Sequence, residues 1–165
     1  MGLPAQAGKK GRENKIYTRY MQQETDTRKK VLIVEDETSL REVLADNLGE
    51  KGYRVFEARD GKEGLDLALA EKPEVILLDI MLPKMNGLRV MQKLRMSSEY
   101  GKNVPIMMIT NLSANQKILK GVMQDRPAYY IEKAGYSIKE VMDKVDVLAR
   151  DTHQAFPSYL NQAKN

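Results

Sequence analysis

The sequence has no cysteine and no apolar run long enough to cross a membrane. Without cysteine, disulfide bonds and thiolate metal sites are excluded, and a reducing compartment is the natural setting. The longest apolar runs, VILLDIML and VPIMMI, have the length of strands, whereas a membrane span needs about 20 residues. The N-terminal residues also lack the apolar segment of a secretory signal. These absences predict a cytoplasmic protein that does not enter a membrane.

Positive charge is concentrated in one short part of the chain. The formal net charge is +4, and an excess of four basic residues lies within residues 1–20, so the remainder of the sequence is neutral. Residues 1–29 are polar and lack an apolar period, which predicts a disordered basic leader. Met21 is an alternative start, so residues 1–20 need not belong to the native protein. Nucleic-acid binding through this leader is therefore the weakest of the functions considered.

From residue 30 onward, short apolar runs alternate with amphipathic segments. Each run has the length and composition of a buried strand, and each following segment has helical spacing. The strands are predicted in KKVLIVEDE, YRVFEA, PEVILLDI, VPIMMIT and AYYIEK. Ser39 and Glu42 form a predicted capping box for the first helix, and Asp60 is predicted to open the second. The pattern therefore comprises five strand and helix pairs.

Strands that alternate with helices of this length need right-handed crossover connections. The sequence thus predicts an α/β fold, a (βα)5 doubly wound parallel sheet with helices on both faces. We expect this domain to span residues 30–150 and residues 151–165 to form a short C-terminal tail. In such a sheet, ligands bind beyond the carboxyl ends of the strands. The residues that follow the strands are therefore the candidates for a functional site.

Polar side chains occupy these strand ends, and they are Glu35, Asp36, Asp79, Thr110 and Lys133. Carboxylates suit Mg²⁺, and clustered acids repel one another when no cation lies between them. Glu37 is an alternative to Glu35 as the third acid. An aspartate can act as a nucleophile and form an aspartyl phosphate, while a hydroxyl and an ammonium stabilise phosphoryl oxygens. The set predicts a magnesium-dependent phosphoacceptor site centred on Asp79.

Four motifs carry a resemblance to a known family. VLIVEDE, DIMLPKMNG, IT before a helix and YYIEK, in this order, resemble the receiver domain of bacterial two-component response regulators, in particular the single-domain chemotaxis-regulator type. The resemblance covers roughly residues 30–150 and implies a flavodoxin-like fold with strand order 2-1-3-4-5. It also implies that Asp79 accepts a phosphoryl group from a sensor histidine kinase or a histidine phosphotransfer protein.

The resemblance further implies a role for each site residue. The metal ligands would be Glu35, Asp36, Asp79 and the main-chain carbonyl of Met81. Thr110 and Lys133 would assist the transfer to Asp79. Thr110 and Tyr130 would form a switch, in which Thr110 moves to the phosphoryl group and the Tyr130 ring turns into the vacated space. The domain would assist its own phosphorylation and dephosphorylation without being an enzyme for a separate substrate.

Several residues depart from the usual pattern of this family. Ala134 follows Lys133 where a proline with a cis bond is usual, and a cis bond without proline costs about 2.5–4 kcal/mol. We therefore expect either a trans bond with a displaced Lys133 or a strained cis bond. Asn111 replaces a small residue and would either narrow phosphodonor access or donate a hydrogen bond. Met81 and Leu112 are apolar, which predicts slow loss of the phosphoryl group to water.

The short sequence after Asp151 predicts a stand-alone regulator without a DNA-binding output domain. Its partners would be the phosphodonor and a downstream protein target, and the protein would be a monomer or a weak dimer. The alternative is a degenerate receiver that binds a protein without being phosphorylated, which Ala134 and Asn111 favour.

Overall fold

The structure is a computed structural model that describes residues 26–111, 127 and 129–150. Five strands and five helices follow one another in this part of the chain. They are β1 (Lys30–Val34), α1 (Thr38–Glu50), β2 (Arg54–Ala58), α2 (Gly61–Glu71), β3 (Val75–Leu78), α3 (Gly87–Ser97), α4 (Glu99–Asn103), β4 (Ile106–Thr110), β5 (Tyr129–Glu132) and α5 (Ile138–Arg150).

The strands form one parallel sheet in the order β2-β1-β3-β4-β5. The residues of β3 and β4 are all buried, which explains why these strands are apolar throughout instead of alternating. β2 lies at an edge of the sheet, and its residues are mostly half-buried. The predicted (βα)5 doubly wound α/β fold with strand order 2-1-3-4-5 is confirmed.

The sheet separates two apolar layers. Successive residues of a strand point to opposite faces, so β1 contributes Leu32 and Val34 to one layer and Val31 and Ile33 to the other. The first layer packs against α2 and α3, and the second packs against α1 and α5. Helices therefore cover both faces of the sheet, and the candidate functional residues lie at the carboxyl ends of the strands.

The starts of the first two helices differ in how they are capped. Asp60 caps α2 as predicted, because its side chain accepts hydrogen bonds from the main-chain N–H groups of Lys62 and Glu63. The capping box predicted from Ser39 is wrong, since α1 begins earlier, at Thr38. The Ser39 hydroxyl instead donates to a carboxylate oxygen of Glu37, at 3.1 Å. A Ser-x-x-Glu pattern thus identified the helix without fixing its first residue.

Helix α4 was not predicted from the sequence. It has five residues, and the Ser98 hydroxyl caps it by accepting from the main-chain N–H of Gly101 at 3.1 Å. A single turn of helix is too short to produce a periodic pattern of apolar residues. The serine cap is the only local signal for it that we find.

Some predictions concern residues outside the part that the structure describes. They are the helix predicted after Thr110, Leu112, Met21, residues 1–25 of the leader and the tail at 151–165. Residues 26–29 are described and exposed, and the Lys29 carbonyl accepts from the main-chain N–H of Arg54 at 2.9 Å. The proposed division into leader, domain and tail stays a prediction. Among the described residues, no helix has both the length and the apolar character of a membrane span.

Candidate functional site

The parallel register brings the predicted site residues to one edge of the sheet. Val34 lies beside Leu78, so Glu35 and Asp79 follow neighbouring strands at the same level. The main-chain N–H of Asp79 donates to the Val34 carbonyl at 3.0 Å. On the other side, the main-chain N–H of Lys133 donates to the Thr110 carbonyl at 2.8 Å. Four strand ends therefore converge, as the sequence predicted.

One ammonium bridges the two buried carboxylates. The Lys133 Nζ atom lies 2.6 Å from Glu35 Oε2 and 2.7 Å from Asp79 Oδ2. The side chains are 7%, 4% and 5% exposed, respectively, so the three charges interact with little screening by water. No peptide bond of the described residues is cis. The bond before Ala134 is therefore trans, and the displacement of Lys133 that we expected with a trans bond is not observed.

Burial and pairing shift the proton affinities of these groups. Burial raises the pKa of the Glu35 carboxyl, although the hydrogen bond from Lys133 and its charge act in the opposite direction. Burial alone lowers the pKa of the Lys133 ammonium, but the hydrogen bonds to Asp79 and Glu35 outweigh it and raise this pKa. The lysine is therefore held in its charged form beside the Asp79 carboxylate.

The acids form a cluster with the donor atoms that a hard cation needs. One carboxylate oxygen each of Glu35, Asp36 and Asp79 lies within 4.8 Å of the others, and Asp36 is exposed while the other two are buried. Lys133 supplies one positive charge against these three acids. Oxygen ligands, excess negative charge and an opening to solvent on the Asp36 side fit a partly hydrated Mg²⁺. Glu37 is not part of this cluster.

Met81 contacts Asp79 through its main chain. Its N–H donates to Asp79 Oδ1 at 3.0 Å, so the two oxygens of Asp79 accept from different partners. The Met81 side chain is 60% exposed. Its carbonyl as a metal ligand, and its side chain as a barrier to water together with Leu112, stay predictions.

The two predicted switch residues lie on neighbouring strands. Thr110 is fully buried at the end of β4, opposite Glu132 in the register. Tyr130 is half-buried and packs against the layer that contains α2 and α3, whereas Tyr129 packs against the other layer. Asn111 is exposed beside the site. Their roles in switching and in phosphodonor access stay predictions.

An ion pair beside the site was not predicted from the sequence. Lys84 is in the loop after β3, and its Nζ atom lies 2.5 Å from the Oδ2 atom of the buried Asp60 carboxylate. The two residues are 24 positions apart and belong to different predicted elements. Asp60 was predicted as a helix cap. The capping pattern does not indicate which residue contacts the second carboxylate oxygen. Only the packing of the loop against α2 reveals the contact.

Comparison with known proteins agrees with the fold. The family model described as the response regulator receiver domain matches residues 31–146. A probable transcriptional regulator, ycf27, of Guillardia theta is 37% identical over 146 residues, which are 88% of this chain and 55% of that protein. The alkaline phosphatase synthesis transcriptional regulatory protein PhoP of Bacillus subtilis is 36% identical over 130 residues, which are 79% of this chain and 52% of that protein.

Solved structures show the same fold. The chemotaxis response regulator CheY4 of Vibrio cholerae has a TM-score of 0.67 and 29% identity, and the match covers 74% of this chain and 99% of that chain. The receiver domain of the Francisella response regulator 1452 has a TM-score of 0.67 and 27% identity, covering 75% and 98%.

These relatives correct one prediction. The chain spans about half the length of the curated relatives it matches, and their names describe transcriptional regulators. RpaA of Synechocystis is named a DNA-binding transcriptional regulator. The prediction of a partner set without a DNA-binding output domain is therefore wrong, because it was drawn from the few residues after Asp151, and a receiver sequence does not indicate what it is joined to.

Two spatial observations support the family that the sequence motifs suggested. The strand order is 2-1-3-4-5, and the acids and the lysine meet where that order reverses, between β1 and β3. The family model covers the same elements. This chain belongs to the response regulator receiver domain family of two-component systems.

Proposed function

We propose that this domain accepts a phosphoryl group from a histidine kinase on Asp79, with Mg²⁺, and signals through a protein contact that depends on phosphorylation. The observation that carries the proposal is the buried ammonium of Lys133, 2.7 Å from Asp79 and 2.6 Å from Glu35, beside an acidic cluster. A buried lysine between two carboxylates is costly to desolvate. The arrangement is well suited to a site that must receive additional negative charge.

The side chains divide the transfer between them. A carboxylate oxygen of Asp79 attacks the phosphorus of a phosphohistidine, the P–O bond forms, and the P–N bond breaks with its electron pair returning to the imidazole. Glu35, Asp36 and Asp79, with the Met81 carbonyl, would hold Mg²⁺. When bound, the ion neutralises phosphoryl oxygens and aligns the two reactants.

The remaining donors would stabilise the product. The ammonium of Lys133 is already within contact distance of Asp79 and would bind one phosphoryl oxygen. The Thr110 hydroxyl would bind another, and its movement would allow Tyr130 to turn. Tyr130 is half-buried, so a turn of its ring could carry the effect of phosphorylation at the buried Asp79 to the protein surface.

Phosphorylation with acetyl phosphate and Mg²⁺ tests the proposal, with intact-protein mass spectrometry as the measurement. We expect one added phosphoryl group on the parent, none on Asp79→Asn, and a strongly reduced rate for Lys133→Met. Asp46→Asn, an exposed acid on α1, is the matched control and should behave as the parent does. A parent that gains no mass would refute the proposal in favour of a binding module that is not phosphorylated, and an Asp79→Asn variant that gains it would refute Asp79 as the acceptor.

A further inference from the structure

The loop that follows the acceptor contains a residue in an unfavourable backbone conformation. We define the acceptor loop as residues 79–86, between β3 and α3. Lys84 in this loop has a φ of +61°, in the left-handed region that side chains other than glycine seldom adopt. Such a residue persists only where contacts around it hold the conformation. Contacts of Lys84 and its neighbours must therefore hold this conformation.

An ion pair with Asp60 is the strongest candidate. The Asp60 side chain is 5% exposed, and its Oδ1 atom accepts from the main-chain N–H groups of Lys62 and Glu63 at 3.0 and 2.9 Å. Its Oδ2 atom accepts from Lys84 Nζ at 2.5 Å. The hydrogen bond from Lys84, followed by those from the helix start, lowers the pKa of the Asp60 carboxyl. One carboxylate therefore joins the start of α2 to the acceptor loop.

The backbone of the loop lies directly against the same helix start. The main-chain N–H of Gly61 donates to the Pro83 carbonyl at 3.3 Å. A β-carbon added at Gly61 would lie 1.8 Å from the carbonyl oxygen of Met85, so only glycine allows this approach. The ion pair thus lies beside a close main-chain contact, and the two together fix the distal part of the loop.

The proximal part of the loop is attached to the phosphoacceptor. The Met81 N–H donates to Asp79 Oδ1, and the Gly87 N–H donates to the Ile80 carbonyl at 2.9 Å. Between these anchors the chain has only a few residues, so a change at Lys84 is transmitted to Met81 through the main chain. We propose that the Lys84–Asp60 ion pair positions the acceptor loop and keeps the Met81 main chain beside Asp79.

This inference extends the proposed function, since the main chain of Met81 is the part of the loop assigned to Mg²⁺. Lys84 does not touch the reacting atoms and is a positioning residue. Its 65% exposed side chain reaches a nearly buried partner, so the contact is partly screened by water and its effect should be moderate.

Amide hydrogen exchange of the metal-free protein is the first test. Lys84→Met removes the ammonium, and we expect the amides of Met81, Leu82, Met85 and Asn86 to exchange about fivefold faster than in the parent. Asp60→Asn keeps an oxygen for the helix cap and should have a similar effect, while the double variant should be no faster than either single one. Lys84→Arg restores a cation and should restore the protection. Lys93→Met, an exposed lysine on α3, is the matched control.

Mg²⁺ titration by calorimetry, well below the melting temperature, is the second test. We expect about three- to tenfold weaker binding in Lys84→Met, as for other residues that orient metal ligands, and parent-like binding in Lys84→Arg and Lys93→Met. Unchanged exchange in both Lys84→Met and Asp60→Asn would overturn the inference, as would faster exchange with unchanged Mg²⁺ affinity. A parent that takes no phosphoryl group at Asp79 would overturn the proposed function instead, and the exchange result would still decide the role of the ion pair.

Discussion

At the scale of single residues, Lys133 determines the charge balance of the site. The carboxylates of Glu35 and Asp79 are buried beside it, and the exposed Asp36 has a carboxylate oxygen within 4.8 Å of theirs. Taking such charges out of water is costly, and their mutual attraction repays this cost only while each keeps its partner. The lysine therefore has a structural task whether or not a phosphoryl group is present.

Lys133→Met should destabilise the metal-free protein by about 3 kcal/mol, because it leaves two buried carboxylates facing each other. Urea unfolding in buffer with a chelator measures the change, and saturating Mg²⁺ should recover part of the loss by replacing the missing positive charge. Lys139→Met is the control, since that lysine is 83% exposed and its pair with Asp143 contributes little. Equal unfolding free energies for Lys133→Met and the parent would contradict this account.

At the scale of elements, the start of α3 is packed tightly against the main chain that follows β3. A β-carbon at Gly87 would lie 2.0 Å from the main-chain oxygen of Asp79 and 3.1 Å from the Ile80 Cα atom. Both neighbours are backbone atoms and cannot rotate away. The α3 helix can therefore begin this close to Asp79 only because residue 87 is glycine.

Gly87→Ala should lower the free energy of unfolding by about 3 kcal/mol and should also shift the main chain of Asp79. Gly49→Ala is the matched variant, because it lies within α1 with nothing within 4 Å of the added carbon. It should raise stability by about 0.5–1 kcal/mol through helix propensity alone. Thermal unfolding of the two variants measures both effects, and a loss of stability of the same size in both would refute the steric explanation.

At the scale of the whole molecule, Asp146 connects parts of the chain that are far apart in sequence. Its carboxylate on α5 accepts from Lys51 Nζ at 2.6 Å and from the Tyr53 hydroxyl at 2.8 Å, between α1 and β2. Burial alone raises the pKa of the Asp146 carboxyl, but the hydrogen bonds from Lys51 and Tyr53 outweigh it and hold the pKa below its ordinary value. The ionised form therefore stabilises the folded state.

Because the folded pKa of Asp146 is lowered, its contribution is complete above the ordinary value of 3.8 and is lost as the pH falls through the folded pKa. We expect Asp146→Asn to cost about 1 kcal/mol at pH 7, with Lys51 partly exposed, and we expect the difference from the parent to shrink below about pH 4. Urea unfolding across this pH range measures it. Asp143→Asn, at a more exposed position of the same helix, should change stability little at either pH. A difference for Asp146→Asn that grows on acidification would contradict the assignment.

Most of the fold followed from local patterns in the sequence. β3 and β4 are apolar and buried over their whole length, and the helices are amphipathic, so each of these elements has a hydrophobic pattern that identifies it without knowledge of its neighbours. Helix boundaries were less certain, because Ser39 competes with Glu37 and Thr38 for the start of α1. The short α4 lacked any period.

The candidate site was predictable to the extent that it depends on strand ends. Asp79 and Lys133 meet because each follows a strand of the same parallel sheet, and that arrangement could be expected from topology alone. Lys84 and Asp60 could not be paired in this way, because the contact depends on the path of a loop. Whether the bond before Ala134 is cis or trans was left open by the sequence. The bond is trans, and the long Lys133 side chain nevertheless reaches Asp79.

The division of the interior by the sheet has a consequence for mutational studies. Residues such as Leu78 and Met108 belong to one layer, whereas Leu77 and Met107 belong to the other, although they are neighbours in sequence. The two groups share backbone but make separate side-chain packings. The effects of substitutions in opposite layers on the free energy of unfolding should therefore be close to additive. The two layers could be redesigned separately on either side of the same sheet.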